Sequence, residues 1–147
     1  MEKNFVEYMD LEIKSEENIR FVSPLVLAYI GDAVYEVYIR EYILHKYGGN
    51  VNKLHKIATK FVKASAQAKI VHMLEKELNK EEWAIIKKGR NQKSGSVPKN
   101  ANLTDYKYAT GFEALIGYLY LLGNKKRIKE IIKKGIQVIE EVEQGGV

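Results

Sequence analysis

The amino-acid sequence predicts a single all-α domain. Apolar residues recur at the helical spacing of three and four positions along most of the chain, and no segment alternates apolar and polar residues convincingly with the period of two that is typical of strands. The 147 residues are the length of one ordinary domain, and no internal repeat divides them. We therefore expect one domain over residues 1–147, built around one core.

Capping residues predict where the first helices begin and end. Ser23 and Pro24 are typical of the N-cap and the first position of a helix, which is expected to end at Tyr47 before two glycines. Asn50 is expected to cap a second helix. The apolar stripe of that second helix consists of Leu54, Ile57, Ala58 and Phe61.

A third and a fourth helix are expected to follow. Residues 65–78 carry one apolar stripe at helical spacing, and Asn79 is expected to end this third helix. The fourth helix is short and contains Trp83. Residues 89–103 are expected to form a loop.

The last two helices are expected to complete the bundle. Thr104 or Asp105 is expected to cap the first of them, which ends at Gly123. Residues 144–147 are expected to fray after the second. The apolar stripe of this last helix consists of Ile128, Ile131, Ile132, Ile136 and Ile139.

The composition excludes several classes of site. The chain has no cysteine, so disulfides, thiolate metal sites and cysteine nucleophiles are excluded. The first residues mix charges from the second position and lack the apolar core of a signal peptide. We therefore expect a cytoplasmic location and no membrane partner.

The positive charge of the chain is concentrated in one segment. The net charge is +5, and no acidic residue lies between Trp83 and Thr104. Such a loop can serve solubility alone, but its small and amide residues, including Asn91 and Ser94, suit contacts with phosphate and sugar. We therefore predict a basic nucleic-acid-binding loop at about 87–101. Its basic residues are Lys87, Lys88, Arg90, Lys93 and Lys99.

Two otherwise apolar helical segments carry acidic residues. Residues 25–39 contain only Asp32 and Glu36 as charges, and residues 108–123 contain only Glu113. A helix that is apolar on all sides belongs in a core or a membrane, and these segments are shorter than the about 20 residues that cross a bilayer. Both helices are therefore expected to be buried, together with their acids.

Buried carboxylates require a partner. An unpaired buried carboxylate costs several kcal/mol (~3 or more), so such groups pair with a cation, take a raised pKa or bind a metal. Gly31 precedes Asp32, and Gly117 lies on the face of Glu113 with Gly111 close by, so the two helices are expected to approach closely. Convergent carboxylates favour Mg²⁺ or Mn²⁺. Spacing alone leaves open that Asp32 and Glu113 lie at helix edges, or that they bond to Tyr and Arg side chains in a structural network.

Other catalytic patterns are missing from the sequence. The histidines lie outside the two acidic helices, and none are paired at the close spacing that a metal-free ribonuclease would need. The glycines match neither the P-loop nor the dinucleotide-binding pattern. The remaining enzymatic interpretation is metal-assisted hydrolysis of a phosphodiester bond, in which the metal lowers the pKa of a bound water.

Two motifs resemble the ribonuclease III family. Residues 27–34, LAYIGDAV, are similar to its signature, and residues 110–117, TGFEALIG, are similar to its second acidic motif; about eighty residues separate the two acids. The resemblance spans nearly the whole chain and implies an all-α helical bundle like the ribonuclease III endonuclease domain. It also implies that Asp32 and Glu113 are catalytic, metal-binding residues.

The departures from the larger enzymes resemble one branch of that family. Those enzymes have an acid four residues before the signature aspartate and another three before the second-motif glutamate, whereas Ala28 and Thr110 stand here. One helix, and no double-stranded RNA-binding domain, is expected after residue 123. Both features resemble the Mini-ribonuclease III branch. That branch implies a homodimer that cleaves double-stranded RNA with Mg²⁺, for which Mn²⁺ substitutes, in processing ribosomal precursor RNA (23S rRNA).

Several points stay open at the level of sequence. Glu36 lies one helical turn after Asp32 and is expected to be auxiliary to the metal site, or else a surface or interface acid. A ribosomal protein is a further expected partner. A non-catalytic RNA-binding or ribosome-associated protein and a helical protein-interaction module are the alternative functions. The aromatic stripe is expected to serve either the core or the dimer seam; it consists of Tyr35, Tyr38, Ile39 and Tyr42.

Overall fold

The computed structural model describes residues 4–93, 97, 99 and 102–145, and every regular element in these ranges is a helix. The all-α prediction is therefore confirmed. A 3₁₀ turn, Glu75–Glu77, lies between the fifth and sixth helices. The helices are α1 (Phe5–Tyr8), α2 (Glu16–Arg20), α3 (Pro24–Tyr47), α4 (Val51–Val62), α5 (Ala64–Leu74), α6 (Lys80–Arg90), α7 (Leu103–Leu121) and α8 (Lys125–Gly145).

The starts of α3 and α4 lie where the sequence predicts them. Pro24 occupies the first turn of α3, but the Ser23 side chain makes no capping hydrogen bond. The proline with its preset φ therefore marks this start without help from a side-chain cap. The backbone N–H of Lys53 donates to Asn50 Oδ1 over 2.9 Å, which confirms Asn50 as the cap of α4.

Two later boundaries differ from the prediction because an asparagine caps each helix. Asn79 begins α6 rather than ending α5: its Oδ1 accepts from the Glu82 N–H at 2.8 Å, and the Glu82 carboxylate accepts from the Asn79 N–H at 3.0 Å. This reciprocal pair is a capping box. Asn102 caps α7 by accepting from the Asp105 N–H at 3.0 Å, so Asp105 lies in the first turn and is not the cap.

Helix α7 is the centre of the bundle. It packs against α3, α5, α6 and α8, and its residues from Gly111 to Leu119 are buried except for the half-buried Glu113. The expectation of a core helix is confirmed here. Among the described helices, none combines the length and the apolar run needed to cross a bilayer.

Helix α3 is not a fully buried helix, which corrects the prediction. It buries Leu27, Tyr35 and Ile39 on the side of α7, but Tyr29 is 77% exposed and Val37 is 63% exposed. The sequence of α3 is apolar on both faces, and within the described ranges one side of the helix packs against α4, α6 and α7. The other face, which contains Tyr29 and Val37, is apolar and exposed.

Helix α8 closes the bundle on the side of α5. All five isoleucines of its predicted stripe are buried, which confirms its amphipathic pattern. The helix continues through Gly145, so the predicted fraying from residue 144 is wrong for its backbone at 144 and 145. Residues 146 and 147 lie outside the described residues.

Candidate active site

Two glycines place α3 directly against α7. A Cβ atom added at Gly31 would lie 1.7 Å from the carbonyl oxygen of Glu113, and one added at Gly117 would lie 1.9 Å from that of Leu27. Both obstacles are backbone atoms of the neighbouring helix, so any side chain at either position would force the helices apart. The predicted close approach is confirmed, and it occurs beside Asp32 and Glu113.

Gly111 lies at the contact between α6 and α7, not at the predicted contact between α3 and α7. A Cβ atom at Gly111 would lie 2.5 Å from the carbonyl oxygen of Ile86, and one at Gly89 would lie 2.7 Å from the Cα of Gly111. These two glycines therefore bring α6 against α7. Gly111 does not contribute to the approach of α3, because it lies on the side of α7 that faces α6.

The carboxyl groups of Asp32 and Glu113 lie within hydrogen-bonding reach of each other. The pKa of Glu113 is raised to about 8, mainly by burial and then by the charge and hydrogen bonding of Asp32. Asp32 itself is exposed, because it lies on the open side of α3. The expectation that both acids are buried is thus wrong for Asp32, whereas their convergence is confirmed.

Glu36 lies one turn after Asp32 and is held by an arginine that the sequence analysis did not single out. Its Oε2 accepts from Arg40 Nε at 2.8 Å, and Arg40 Nη2 lies 2.8 Å from the same oxygen. The charge of Glu36 also contributes to the raised pKa of Glu113. Glu36 is therefore close enough to influence the pair, while its own charge is balanced by Arg40.

Gln67 is a site residue that sequence reasoning missed. It is only 3% exposed, and its Nε2 donates to the carbonyl of Val62 at 2.8 Å and to Glu113 Oε2 at 3.4 Å. The available signal was a polar side chain in a run of α5 that is otherwise apolar and buried. No spacing rule pointed to Glu113, because 46 residues separate the two.

The positions of the missing acids offer no replacement carboxylate. Ala28 is buried, and the Thr110 hydroxyl donates to the carbonyl of Tyr106 within α7 at 3.0 Å. Among the described residues, no three or more His, Cys, Asp or Glu side chains are grouped so that they could hold a metal. The carboxylates available at this point are therefore the Asp32–Glu113 pair.

These residues nevertheless fit a hard divalent cation. Mg²⁺ is commonly held by one or two carboxylates and completes its shell with water and substrate phosphates, so a cluster of three acids is not required. The Oε1 atom of Gln67 is also buried without a hydrogen-bond partner among the described residues, which leaves an oxygen acceptor close to the pair. All of these donor atoms are oxygens, as Mg²⁺ and Mn²⁺ prefer.

The predicted basic loop begins later than residue 87. Lys87, Lys88 and Arg90 lie in the last turn of α6, and the loop starts at Asn91. This corrects the predicted loop boundary: the helix extends to Arg90, and basic residues in its last turn interact favourably with the negative end of the helix dipole. Ser94 lies outside the described residues.

The basic residues of α6 do not share one face. The Lys87 ammonium lies 5.9 Å from the centre of the Trp83 ring, and the Arg90 guanidinium lies 5.6 Å from that of Tyr108. Lys88 points instead toward the groove that contains Arg20. The structure thus separates charges that are contiguous in sequence. Exposed members of the predicted set are Lys87, Lys88, Asn91, Lys93 and Lys99.

A second cationic surface was not anticipated. One groove between α4, α5 and α8 is lined by several basic side chains together with Asp105 and Glu143. Counting charges along the chain concealed it, because its lysines are scattered in sequence. Within the groove Lys60 lies 3.5 Å from Glu143, so the two acids balance part of its positive charge. The basic residues of the groove are Lys60, Lys63, Lys69 and His72.

A match to a protein family shows to which class this helical chain belongs. The family described as the Ribonuclease III domain matches residues 25–124, which include both acids and the glycine crossing. That match covers more than half of the chain, and its family is generally dependent on divalent metals.

Individual relatives narrow the class further. A Mini-ribonuclease 3 of Thermoanaerobacter sp. is 48% identical over 142 residues, covering 96% of this chain and 100% of the relative. Another, of Clostridium tetani, is 50% identical over 131 residues, covering 88% and 87%. A crystal structure of a Fusobacterium nucleatum protein aligns with a TM-score of 0.73 and 38% identity, covering 82% of this chain and 96% of that one. The chain belongs to the Mini-ribonuclease 3 branch of the ribonuclease III family and is an endoribonuclease.

Proposed function

We propose that this chain hydrolyses phosphodiester bonds of double-stranded RNA with Mg²⁺, or Mn²⁺ in its place, bound by Asp32 and Glu113. The observation that carries the proposal is the contact between these two carboxyls at the α3–α7 crossing. Two like charges at one point are unfavourable unless a proton or a cation lies between them. The pKa of Glu113 is raised first by burial and then by the charge of Asp32, and both effects disfavour a second bare carboxylate here.

Each side chain of the pair has its own part. The metal, when bound, lowers the pKa of a water and neutralises charge on the phosphate. Glu113 is held in place from the buried side by Gln67, and Asp32 presents its carboxylate on the exposed side where an RNA backbone can approach. Glu36 is auxiliary. Its carboxylate adds negative charge near Asp32 and Glu113, and the ion pair with Arg40 balances that charge.

A cleavage assay tests the proposal. Wild-type protein is incubated with a long perfect RNA duplex and with structured ribosomal precursor RNA, with Mg²⁺ or with chelator. We expect cleavage only with metal, and Asp32→Asn is expected to reduce the rate by about 100-fold or more, since loss of even an indirect partner of a metal costs 10- to 100-fold. Its thermal midpoint should hold or rise, because the repulsion with Glu113 is removed. An Asp32→Asn variant with wild-type rate would refute the assignment.

The proposed substrate follows from the exposed basic side chains at the end of α6 and in the loop after it. We propose that exposed basic and amide groups at the end of α6 and in the following loop bind the RNA backbone by shape and phosphate contacts, as duplex RNA requires. The proposed substrate is ribosomal precursor RNA (23S rRNA), and the proposed location is the cytoplasm. A helper ribosomal protein stays an expectation. The proposed RNA-binding residues are Lys87, Lys88, Arg90, Asn91, Lys93, Ser94 and Lys99.

We also propose that the working form is a homodimer. The exposed apolar face of α3 carries Leu25, Val26, Tyr29 and Val37, and Tyr120 of α7 joins it beside Asp32. A second copy placed on this face would bring two sites together so that each cuts one strand. The predicted seam residues Tyr35 and Ile39 do not serve it, because they are buried within the chain.

One observation favours the non-catalytic alternative, namely that Ala28 and Thr110 stand where larger enzymes have acids. Relatives that match nearly the whole chain are nevertheless named as ribonucleases, which favours hydrolysis. The same assay separates the two functions, since binding of the duplex without cleavage in Mg²⁺ would support the alternative.

A further inference from the structure

We infer that Gln67 is a positioning residue of the metal site: its amide N–H holds the Glu113 carboxylate in place, and its Oε1 accepts a hydrogen bond from a water bound at the site. This inference rests on the proposed metal-dependent function. It concerns a residue outside both acidic motifs.

The burial of Gln67 is the first observation. Gln67 and Glu82 are the buried polar or charged residues among those that the structure describes. The Glu82 carboxylate is satisfied by Arg127, whose Nε and Nη2 donate to it at 2.7 and 2.8 Å. The Oε1 atom of Gln67 has no such hydrogen-bond donor among the described residues. A buried polar group is costly without a hydrogen bond, so its retention calls for a reason.

The orientation of the amide is the second observation. The Nε2 atom lies between two acceptors, the Val62 carbonyl and Glu113 Oε2. Turning the amide over would set its oxygen against both acceptors, so only one orientation is favourable. In that orientation Oε1 is buried and has no partner among the described residues.

The hydrogen bond from Gln67 to the end of α4 does not explain why a buried amide is retained at this position. The Tyr35 hydroxyl already donates to the carbonyl of Phe61 at 2.8 Å, which is the residue before Val62 at the end of the same helix. An apolar side chain at position 67 would also match its buried neighbours on α5, which include Ala66, Ala68 and Ile70. A polar group that local packing does not require indicates a requirement of the site.

Glu113 lies between Asp32 and Gln67, and this position explains how Gln67 would act on the metal site. Asp32 meets its carboxyl group from the exposed side, and Gln67 holds Oε2 from the buried side. Carboxylates that bind metals are commonly fixed by such hydrogen bonds, and losing one typically costs about 10- to 100-fold in metal affinity or activity. Gln67 thereby restricts rotation of the group that would hold the cation.

Gln67→Met tests the inference because methionine keeps the length of the side chain and removes both polar atoms. We expect Mn²⁺ binding to the RNA-free protein, followed by electron paramagnetic resonance, to weaken about 10-fold or more. The Mg²⁺ concentration for half-maximal cleavage should rise in parallel, with the KM for RNA unchanged at saturating metal. The thermal midpoint in chelator should hold or rise. Gln67→Leu replaces it in the same measurements if the methionine variant does not fold.

Tyr35→Phe is the matched control, since it removes the neighbouring hydrogen bond to the end of α4. It should lower the thermal midpoint and leave Mn²⁺ binding unchanged. A Gln67→Met protein with a lowered midpoint and wild-type Mn²⁺ binding would overturn the inference alone. A wild-type protein that binds no Mn²⁺ and cleaves equally in chelator would overturn the proposed function and the inference together.

Discussion

Asp32 and Glu113 are both carboxylic acids, yet their surroundings give them different properties. Asp32 is exposed on α3, whereas Glu113 is half-buried and has its pKa raised to about 8 by burial and by Asp32. A group with that pKa keeps its proton through much of the neutral range unless a cation displaces it. The negative charge of the two carboxyl groups is therefore offset in both states, by a proton on Glu113 without metal and by the cation when metal is bound.

The role of Glu36 can be tested by removing its charge. We expect Glu36→Gln to lower the cleavage rate at low Mg²⁺ by about 10-fold or less and to have little effect at saturating Mg²⁺, because an indirect partner of a metal tunes affinity rather than chemistry. Arg40→Met is the matched control, since it removes the ion pair and keeps the carboxylate. Unchanged cleavage by Glu36→Gln at low Mg²⁺ would remove Glu36 from the site.

At the scale of helices, the site depends on the distance between α3 and α7. Gly31 and Gly117 allow each helix to contact the backbone of the other, and the two acids lie beside this contact. The second glycine pair, Gly89 and Gly111, joins α6 to α7 in the same way. Small residues at these crossings therefore determine which side chains meet.

Gly31→Ala tests the role of the crossing. Its Cβ would lie 1.7 Å from a backbone oxygen, so we expect the free energy of unfolding to fall by about 3 kcal/mol or more, as overpacking of a rigid contact does. Urea denaturation measures this. Gly135→Ala is the matched control: its Cβ would meet only side-chain atoms of Ile70, the nearest at 3.1 Å, so its stability should change by about 1 kcal/mol at most. Equal effects of the two substitutions would contradict this account.

The junction of α6 and α8 predicts a dependence of stability on pH. Burial acts to raise the pKa of Glu82, but hydrogen bonds from Arg127 and the Asn79 backbone outweigh it and lower the pKa below the ordinary 4.5. A lowered carboxylate pKa adds stability above the unfolded-state value, and this stability is lost as pH falls through the folded-state value. We expect the unfolding free energy of wild type to fall below about pH 4.5.

Two variants check this assignment by chemical denaturation between pH 7 and pH 3. Glu82→Gln should show a smaller loss on acidification than wild type. Arg127→Met should be destabilised by about 3 kcal/mol at pH 7, because it leaves a buried carboxylate without its partner. If acidification affected Glu82→Gln and wild type equally, other acids would have to account for the pH dependence.

For the whole molecule, the surface divides into an apolar face and basic regions. The apolar face lies on α3 beside Asp32, and basic side chains project from the end of α6 and from the groove that contains Lys60 and Lys69. Assembly and RNA capture are therefore expected to use different parts of the surface, and variants should separate them.

The apolar face predicts the oligomeric state. Tyr29→Lys places a charge at an exposed residue in the middle of that face, so we expect a folded monomer where wild type is a dimer, and a lower rate of double-strand cleavage. Sedimentation equilibrium and circular dichroism measure the two properties. Phe21→Lys is the control, because Phe21 is also exposed but lies near Lys88. A wild-type protein that is monomeric at all concentrations would contradict the proposed dimer.

RNA capture predicts a dependence on salt. Replacing Lys87 and Lys93 together by alanine should raise the KM for duplex RNA. The slope of log affinity against log salt concentration should become less steep by the amount that about two phosphate contacts contribute. Saturating RNA should restore most of the turnover. Lys88→Ala is compared with each single substitution: Lys88 points toward Arg20 on another side of α6, so its loss should raise the KM less than Lys87→Ala or Lys93→Ala does. Loss of turnover with unchanged binding would place the two lysines in the catalytic site instead.

Local sequence signals were enough to predict the helical class and to single out Asp32 and Glu113 as neighbouring acids. Capping residues and apolar periodicity depend on interactions within about four positions. This is why α3 has its predicted bounds, α4 begins after its predicted cap and α8 buries its predicted stripe. The glycines next to Asp32 and Glu113 were also sufficient to predict that α3 and α7 approach closely.

Which faces of those helices meet depends on contacts between residues that are distant in sequence. The tertiary structure exposed Asp32 while half-burying Glu113, brought Gln67 to Glu113 across 46 residues, and directed Lys88 away from Arg90. Each of these outcomes depends on how one helix is rotated against another. Periodicity shows that a helix has an apolar side, but when both sides are apolar, as in α3, contacts between residues distant in sequence select the side that is buried.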